Sequence, residues 1–503
     1  MKELSFSYLK PVATQQMMLM LSVTSALTSA CNAQEQEGQG PLNPPEIDRP
    51  NIVFILADDM GYGDIHKLNP GSAIPTPNID KLCNEGMRFS EAHSGSAVST
   101  PTRYGLLTGR YCFRSSMKSG VLGGYSSPLI ETTRPTIASV LKHRGYYTAC
   151  IGKWHLGLGW NTYSGAAADE TNTLFDQPLT YSPNDVGFDE SYILPASLDM
   201  APYVYIKNKN VVDPVMTIIT GTDTPRGNLW RAGKASQSFS IPDCLDHFIG
   251  ETKRFLRGRG SSNQPFFLYM PLTAPHTPWL PAERFRGASN AGNYGDFVMH
   301  VDDVVGQVVY LLDSLGIKDR TLIVFTSDNG ADWNANDKAA YPHLANFIWR
   351  GRKSDVWDGG HHIPLIVRYP AMVKAGTSSD ALVCLTDILA TFAEITGATV
   401  PFGAAEDSKS FLPVLNGSES VARSEVIHHS NDGKFAIRQG RWKFINWNGS
   451  GGWTNPTGNA TTPPQLYDMD VDPEETTNLY SRYPQKVEEL NTLLDAIVNG
   501  NMR

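Results

Sequence analysis

Four continuous apolar runs punctuate the chain, and each gives way to polar residues. Asn51-Ile-Val-Phe-Ile-Leu-Ala57 ends in Asp58-Asp59, and the run at 148–152 ends in Lys153-Trp-His155. The run at 265–270 leads to Pro275-His276, and that at 322–326 to Asp328-Asn329. Apolar runs without alternation predict strands buried on both faces. Between them, residues 136–143 and 297–312 repeat apolar positions at helical spacing. Strands alternating with helices predict an α/β fold, a mixed and mostly parallel sheet covered by helices. In an open parallel sheet the carboxyl ends of the strands share one edge, and ligands bind there.

From about 160 to 240 this rhythm disappears and Asn, Thr, Asp and Gly abound, which predicts an elaborated insertion over the sheet edge. Residues 387–396 predict the last helix of the large domain. Beyond it, 425–429, 434–438 and 442–446 read as short strands between turn residues, and 487–498 as an amphipathic helix. A smaller C-terminal antiparallel sheet with one helix follows. The expected organisation is an α/β domain over 50–400 and a subdomain over 401–503.

At the other end, Lys2 and Lys10 precede an apolar run over 17–26, too short to span a membrane and suited to an export signal. Leu27-Thr-Ser-Ala-Cys31 resembles a relaxed bacterial lipoprotein box with Cys31 as the lipidated residue, giving a lipid anchor. Thr28 stands where Leu is usual, so simple cleavage near Ala33 is the competing reading. Residues 32–49 then form a flexible linker. The expected location is the periplasm, outer membrane or cell surface of a bacterium.

The formal charge of -9 gives no broadly basic surface for a polyanion, which argues against nucleic acid. An anionic substrate must therefore meet a local cluster. The six cysteines are scattered without C-x-x-C or zinc spacing, so most read as buried thiols.

The stretch from Ser94 to Arg110 is a small-residue loop running into a predicted helix. Pro101 suits the first helical position and Gly109 the exit, which sets Ser99 just outside the helix N-terminus. Such an end attracts anions, and Arg103 one turn in adds charge and paired donors. A serine before a helix is also an ordinary cap. Asp58, Asp59, Asp328 and Asn329 are hard oxygen ligands at two strand ends, suited to calcium or magnesium more than to zinc. Either pair alone would be common turn chemistry. Lys153, His155, His276 and Lys353 supply the local basic cluster.

Ser99-Thr-Pro-Thr-Arg103 with Leu106-Leu-Thr-Gly-Arg110 resembles the type I sulfatase signature. The resemblance extends to Asp58-Asp-Met-Gly-Tyr-Gly-Asp64, Gly152-Lys-Trp-His-Leu-Gly157, Ala274-Pro-His-Thr-Pro278, Ser327-Asp-Asn-Gly330, the stretch from Arg350 to Gly360, and Leu466 to Leu479. It implies an alkaline-phosphatase-like sulfatase fold and oxidation of Ser99 to formylglycine by a formylglycine-generating maturation enzyme. It also implies one divalent ion, usually calcium, held by Asp58, Asp59, Asp328, Asn329 and the modified residue 99. The hydrated aldehyde would attack sulfur while Lys153, Lys353 and His276 hold the sulfate. His276 or Lys353 would protonate the leaving alcohol, His155 would release sulfate, and Arg103 would orient the hydrate.

Asp358 departs from a usual Glu, and His361-His362 stand where Arg often follows. The expected substrate is a sulfated carbohydrate, with an arylsulfatase, a phosphodiesterase or phosphonate hydrolase, and an unmatured glycan-binding pseudo-enzyme as alternatives. Asp199, His343 and His362 are the expected sugar-binding residues.

Overall fold

The strand Asn51–Ala57 is buried along its whole length. Ile52, Phe54 and Leu56 enter one hydrophobic core and Val53, Ile55 and Ala57 the other, so the strand has no polar face to offer water. This is a computed structural model, which describes residues 49–223, 226–459 and 461–500. The chain divides into Met1–Glu46 and Ile47–Arg503, and all described residues belong to the second unit. The expected export signal, Cys31 and all of the linker but Arg49 lie outside them.

Phe266–Pro271 and Thr321–Ser327 flank the central strand in parallel. Tyr147–Lys153 and Glu190–Leu194 continue the parallel order beyond Phe266–Pro271. On the other side Leu365–Arg368 runs antiparallel to Thr321–Ser327, and Met87–Phe89 antiparallel to it in turn. The sheet has ten strands among the described residues, mixed and parallel at its centre, as the alternating pattern predicts. Gly292–Ser314 and Cys244–Arg259 cover one face; Ser99–Thr108, Ile137–His143 and Ile388–Thr396 cover the other. Thr136 caps its helix as a side-chain acceptor from the Ser139 N–H at 3.1 Å.

One strand escapes the sequence reading. Glu190–Leu194 lies inside the stretch expected to be irregular, yet it is the fifth parallel strand. Its apolar content is confined to Tyr192, Ile193 and Leu194, too short a run to stand out among polar neighbours. The Glu425–His429, Phe435–Gln439 and Trp442–Ile445 strands form the C-terminal antiparallel sheet, completed by Gln465–Asp468 from the resemblance-bearing tail. Leu490, Leu494 and Ile497 of the Pro484–Val498 helix pack on Ile437, Phe444 and Leu466. Burying each such leucine contributes about 2 kcal/mol. The five described cysteines are free and buried.

The register pairs Ala57 with Ser327, so Asp58 and Asp328 leave the sheet side by side. The Asp328 N–H donates to the Ala57 carbonyl at 3.1 Å.

Candidate active site

Ser99 is the first residue of the Ser99–Thr108 helix and Val98 its cap, so Ser99 lies inside the helix start and not outside it. Pro101 is accordingly the third helical residue. Its missing N–H costs nothing there, because the first turn has no intrahelical acceptor to reach. The Ala97 carbonyl instead accepts the Ser354 N–H at 2.8 Å, which ties the helix start to the loop carrying Lys353. Gly109 closes the helix in the left-handed region at φ 63°, its N–H donating to Gly105. The whole helix is buried, so its N-terminal groups are fixed in a low-dielectric setting.

The structure brings the predicted strand-end residues to Ser99. The Ser99 hydroxyl donates to Asp58 Oδ1 at 3.3 Å, and Lys153 Nζ reaches Ser99 Oγ at 3.3 Å. Lys153 also grips both Asp58 oxygens, at 2.9 and 2.7 Å. Arg103 donates to Asp328 Oδ2 through Nε at 3.2 Å and Nη2 at 2.8 Å, and to the Lys153 carbonyl through Nη1 at 3.1 Å. Lys353 Nζ donates to Asp59 Oδ2 at 2.7 Å, and His276 Nε2 stands 3.6 Å from the same oxygen. Asp59 and His155 hold non-glycine residues at φ 65° and 58°. Such strain costs of order 1–3 kcal/mol each and persists where the surroundings over-determine it.

Three buried carboxylates thus face three buried cations. Burial alone would raise the Asp58 carboxyl, but Lys153, His276, Arg103 and Lys353 hold it well below the usual range. Asp328 is raised, by burial and by the neighbouring Asp58 charge. Burial would lower the Lys353 ammonium, yet Asp59 and Asp58 raise it. His155 is pushed well below its ordinary value by burial, then by Lys153 and Arg103, and is neutral. Its Nε2 lies 2.7 Å from the Leu122 carbonyl and must carry the proton, which leaves the buried, unpartnered Nδ1 as an acceptor.

The same residues suit a hard divalent ion. Asn329 Nδ2 donates to Asp59 Oδ1 at 2.7 Å, while the buried Oδ1 has no donor. A buried carbonyl oxygen without a partner is costly unless a cation meets it. Asp58, Asp59 and His276 offer ligand atoms within 4.8 Å of one another, so the structure adds His276 to the neighbourhood of the oxygen set.

Ser99, His155, Lys353, His276 and Asp199 line one cavity of about 290 Å³. Asp199 binds Arg231 through Oδ2 at 2.7 Å, while its Oδ1 accepts no hydrogen bond and stands 3.9 Å from His276 Nδ1. The other two residues expected to read sugar are not brought there. His343 is buried with Nε2 2.8 Å from Asp64 Oδ1 and Nδ1 accepting from the Ala73 N–H at 3.3 Å. His362 is buried, stacked on Trp349 at 3.3 Å, with Nδ1 3.0 Å from Asp358 and Nε2 2.7 Å from the Ser90 carbonyl. Both rings have both nitrogens committed inside the protein, so neither faces the cavity.

The unusual Asp358 also has an internal role. It receives Lys443 Nζ at 2.6 Å, and its N–H donates to Glu475 at 2.7 Å, joining the loop after Lys353 to the C-terminal sheet. Arg226, Arg231, Asp332 and Trp453 line the cavity without having been singled out in the sequence. Arg226 and Arg231 lie in the patternless stretch, and nothing in their spacing marks them.

A Sulfatase family model matches residues 50–398, and one described as N-sulphoglucosamine sulphohydrolase, C-terminal, matches 352–499. The chain is 33% identical to an N-acetylgalactosamine-6-O-sulfatase of Bacteroides thetaiotaomicron, over 94% of this chain and 97% of that one. A solved 6S-sulfatase structure, described with the metabolism of multiple glycosaminoglycans by the same organism, is similar at TM-score 0.79 and 32% identity, covering 90% of this chain and 100% of that one. The structure of PsFucS1 sulfatase from Pseudoalteromonas sp. matches at TM-score 0.70 and 26% identity over 90% of each chain.

Proposed function

Because the chain belongs to the sulfatase family and is a sulfuric ester hydrolase, we propose that it removes sulfate from a sulfated carbohydrate at the Ser99 cavity. The observation that carries this reading is the Ser99 hydroxyl held between Asp58 and Lys153 in a cavity that also presents Lys353, His276 and His155. The name of the Bacteroides relative makes 6-O-sulfated N-acetylgalactosamine the first saccharide to test.

In this reading Asp58, Asp59, Asp328 and Asn329 hold calcium, with magnesium as the alternative, and residue 99 is converted to formylglycine by a maturation enzyme. Together the ion and the hydrated aldehyde would supply a nucleophilic hydroxyl at neutral pH and neutralise charge on the sulfate. Lys353 lines the cavity and Lys153 lies behind Ser99, its Nζ 3.3 Å from Oγ, so fixed positive charge there would stabilise the transferring sulfuryl oxygens. His276 Nδ1 lies 2.6 Å from the Thr277 carbonyl and donates to it, which turns Nε2 toward Asp59 and the cavity. Protonated, it can give its Nε2 proton to the departing sugar oxygen, a poor leaving group without one. His155 Nδ1 is the complementary acceptor. Arg103, bound to Asp328, fixes the floor of the site.

We place this chemistry outside the cytoplasm, from the apolar run at 17–26 and the lipoprotein-like box at Cys31. A panel of defined sulfated saccharides, an aryl sulfate and the matching phosphate esters tests the function. Matured protein should release sulfate from at least one saccharide with the highest kcat/KM of the panel. Preference for a phosphate ester, or for the aryl sulfate over every saccharide, would overturn the reading.

A further inference from the structure

The site cavity does not end at its own wall. Val121, Met200 and Arg231 line it and also line a second, wider groove of about 630 Å³, so the two are contiguous. The near wall of this groove is the loop 121–127, held at four points. Leu122 donates its N–H to Thr100 Oγ1 at 3.2 Å and accepts from His155 at 2.7 Å; Gly124 accepts from Trp160 Nε1 at 2.9 Å, and Ser126 from the Leu158 N–H at 2.9 Å. A wall tied to the catalytic histidine on one side and to buried residues on the other is preformed, which lowers the entropic cost of binding.

The groove has a chemistry of its own. The half-buried Tyr125 lines it, packed beside Trp160 with ring centroids 6.4 Å apart. An aromatic ring that lines a groove suits the apolar face of a pyranose. Two formally charged side chains line the groove. Arg231 is already bound to Asp199 at 2.7 Å, while Glu170 has no ion pair among the described residues. The uncompensated charge is therefore negative, unlike the charge-paired floor around Ser99.

Resting on the sulfated-carbohydrate reading, we propose that the enzyme reads two adjoining sugars: the sulfated ring in the inner cavity, and an uncharged neighbour in the outer groove over Tyr125 and beside Glu170. Arg231 at the junction spans both. A uronate or a second sulfate in the outer position would face the Glu170 carboxylate.

The test compares three substrates with matured enzyme: N-acetylgalactosamine 6-sulfate alone, and the same sugar joined at its reducing end to galactose or to glucuronic acid. The galactose disaccharide should exceed the monosaccharide at least tenfold in kcat/KM. The glucuronate disaccharide should fall roughly fivefold or more below the galactose one, the ratio expected for like charges about 4 Å apart in water. Glu170→Gln should close that gap while monosaccharide turnover stays unchanged. Tyr125→Ala should abolish the disaccharide advantage, and Tyr125→Phe should keep it. Equal kcat/KM for monosaccharide and galactose disaccharide, or a glucuronate preference indifferent to Glu170→Gln, would overturn the proposal while leaving the parent reading intact. No turnover of any of the three would overturn this proposal; the parent reading falls only if the wider saccharide panel also fails while an aryl sulfate is turned over.

Discussion

Replacing Arg103 with methionine removes one buried cation while keeping an unbranched side chain of similar length. Arg103 is fully buried, donates twice to Asp328 and lies 3.4 Å from Asp58 Oδ1. Its loss leaves two buried carboxylates short of compensation, and breaking a buried pair from one side costs about 3–5 kcal/mol. The same change removes the cation that competes for those oxygens, so a divalent ion should bind the variant more tightly. Each tenfold gain in affinity returns about 1.4 kcal/mol at saturating ion. Urea unfolding of wild type and Arg103→Met, in excess chelator and again in excess calcium, measures both terms. The expected result is a loss of about 3–5 kcal/mol in chelator that shrinks by at least about 1 kcal/mol in calcium. A loss below about 1 kcal/mol, or an equal loss in both conditions, would refute the view that Arg103 and the ion answer the same buried charge.

Three further outcomes are expected. Burial pushes the ring of His93 down to about 4, and burial likewise holds His361 and His428 well below their ordinary value. At these rings the folded state binds fewer protons than the unfolded one, so their contribution to stability is full above pH 6.5 and is lost as pH falls from there toward 4; His93 alone accounts for about 3 kcal/mol. Chemical unfolding from pH 8 to 4.5 should show that decline in wild type relative to His93→Gln, since Glu475 and Asp302, raised by burial to about 7 and about 6, act in the opposite sense in both proteins; parallel profiles for the two would contradict it. His362→Ala should cost about 2–4 kcal/mol of stability and lower saccharide and aryl sulfate turnover together, since the ring packs on Trp349 and bonds inside the protein; a loss confined to the saccharide would restore it as a sugar-reading residue. Gly152→Ala should be destabilised by about 3 kcal/mol or more, because Gly152 sits at φ 137° and an added Cβ would come within 1.9 Å of the Pro271 carbonyl; a wild-type urea midpoint would show that the backbone beside Lys153 yields freely.

The parallel centre of the sheet was legible because its strands are buried on both faces and carry unbroken apolar runs. Asn51–Ala57 shows this most clearly. Glu190–Leu194 was not, since a short strand set inside a polar insertion has too little apolar sequence to separate from a loop. The cluster around Ser99 followed from strand ends sharing one edge, and the family motifs supplied the remaining partners. Proline position misled by two residues, because a first helical turn accepts proline at any place where no N–H is needed. His343 and His362 misled for a different reason: proximity in sequence to Lys353 and Gly359-Gly360 says nothing about which way a ring faces. His343 is fixed by Asp64 and His362 by Ser90, partners made by long-range folding, with Trp349 and Asp358 holding the His362 ring from nearer in the chain. Arg226 and Arg231 reach the cavity from the patternless insertion, where side-chain direction depends on loop geometry and leaves no periodic trace.

The central claim is that residue 99, once matured, hydrolyses a sulfate ester of a carbohydrate. The most direct measurement prepares the protein with and without a serine-type maturation enzyme, quantifies by peptide mass the fraction of Ser99 that has lost two hydrogens, and follows sulfate release from N-acetylgalactosamine 6-sulfate and a panel of other sulfated saccharides. The account predicts release from at least one saccharide at a rate proportional to the converted fraction, vanishing in Ser99→Ala. Full turnover by protein whose Ser99 is unmodified, or no turnover of any sulfated saccharide by fully converted protein, would contradict it.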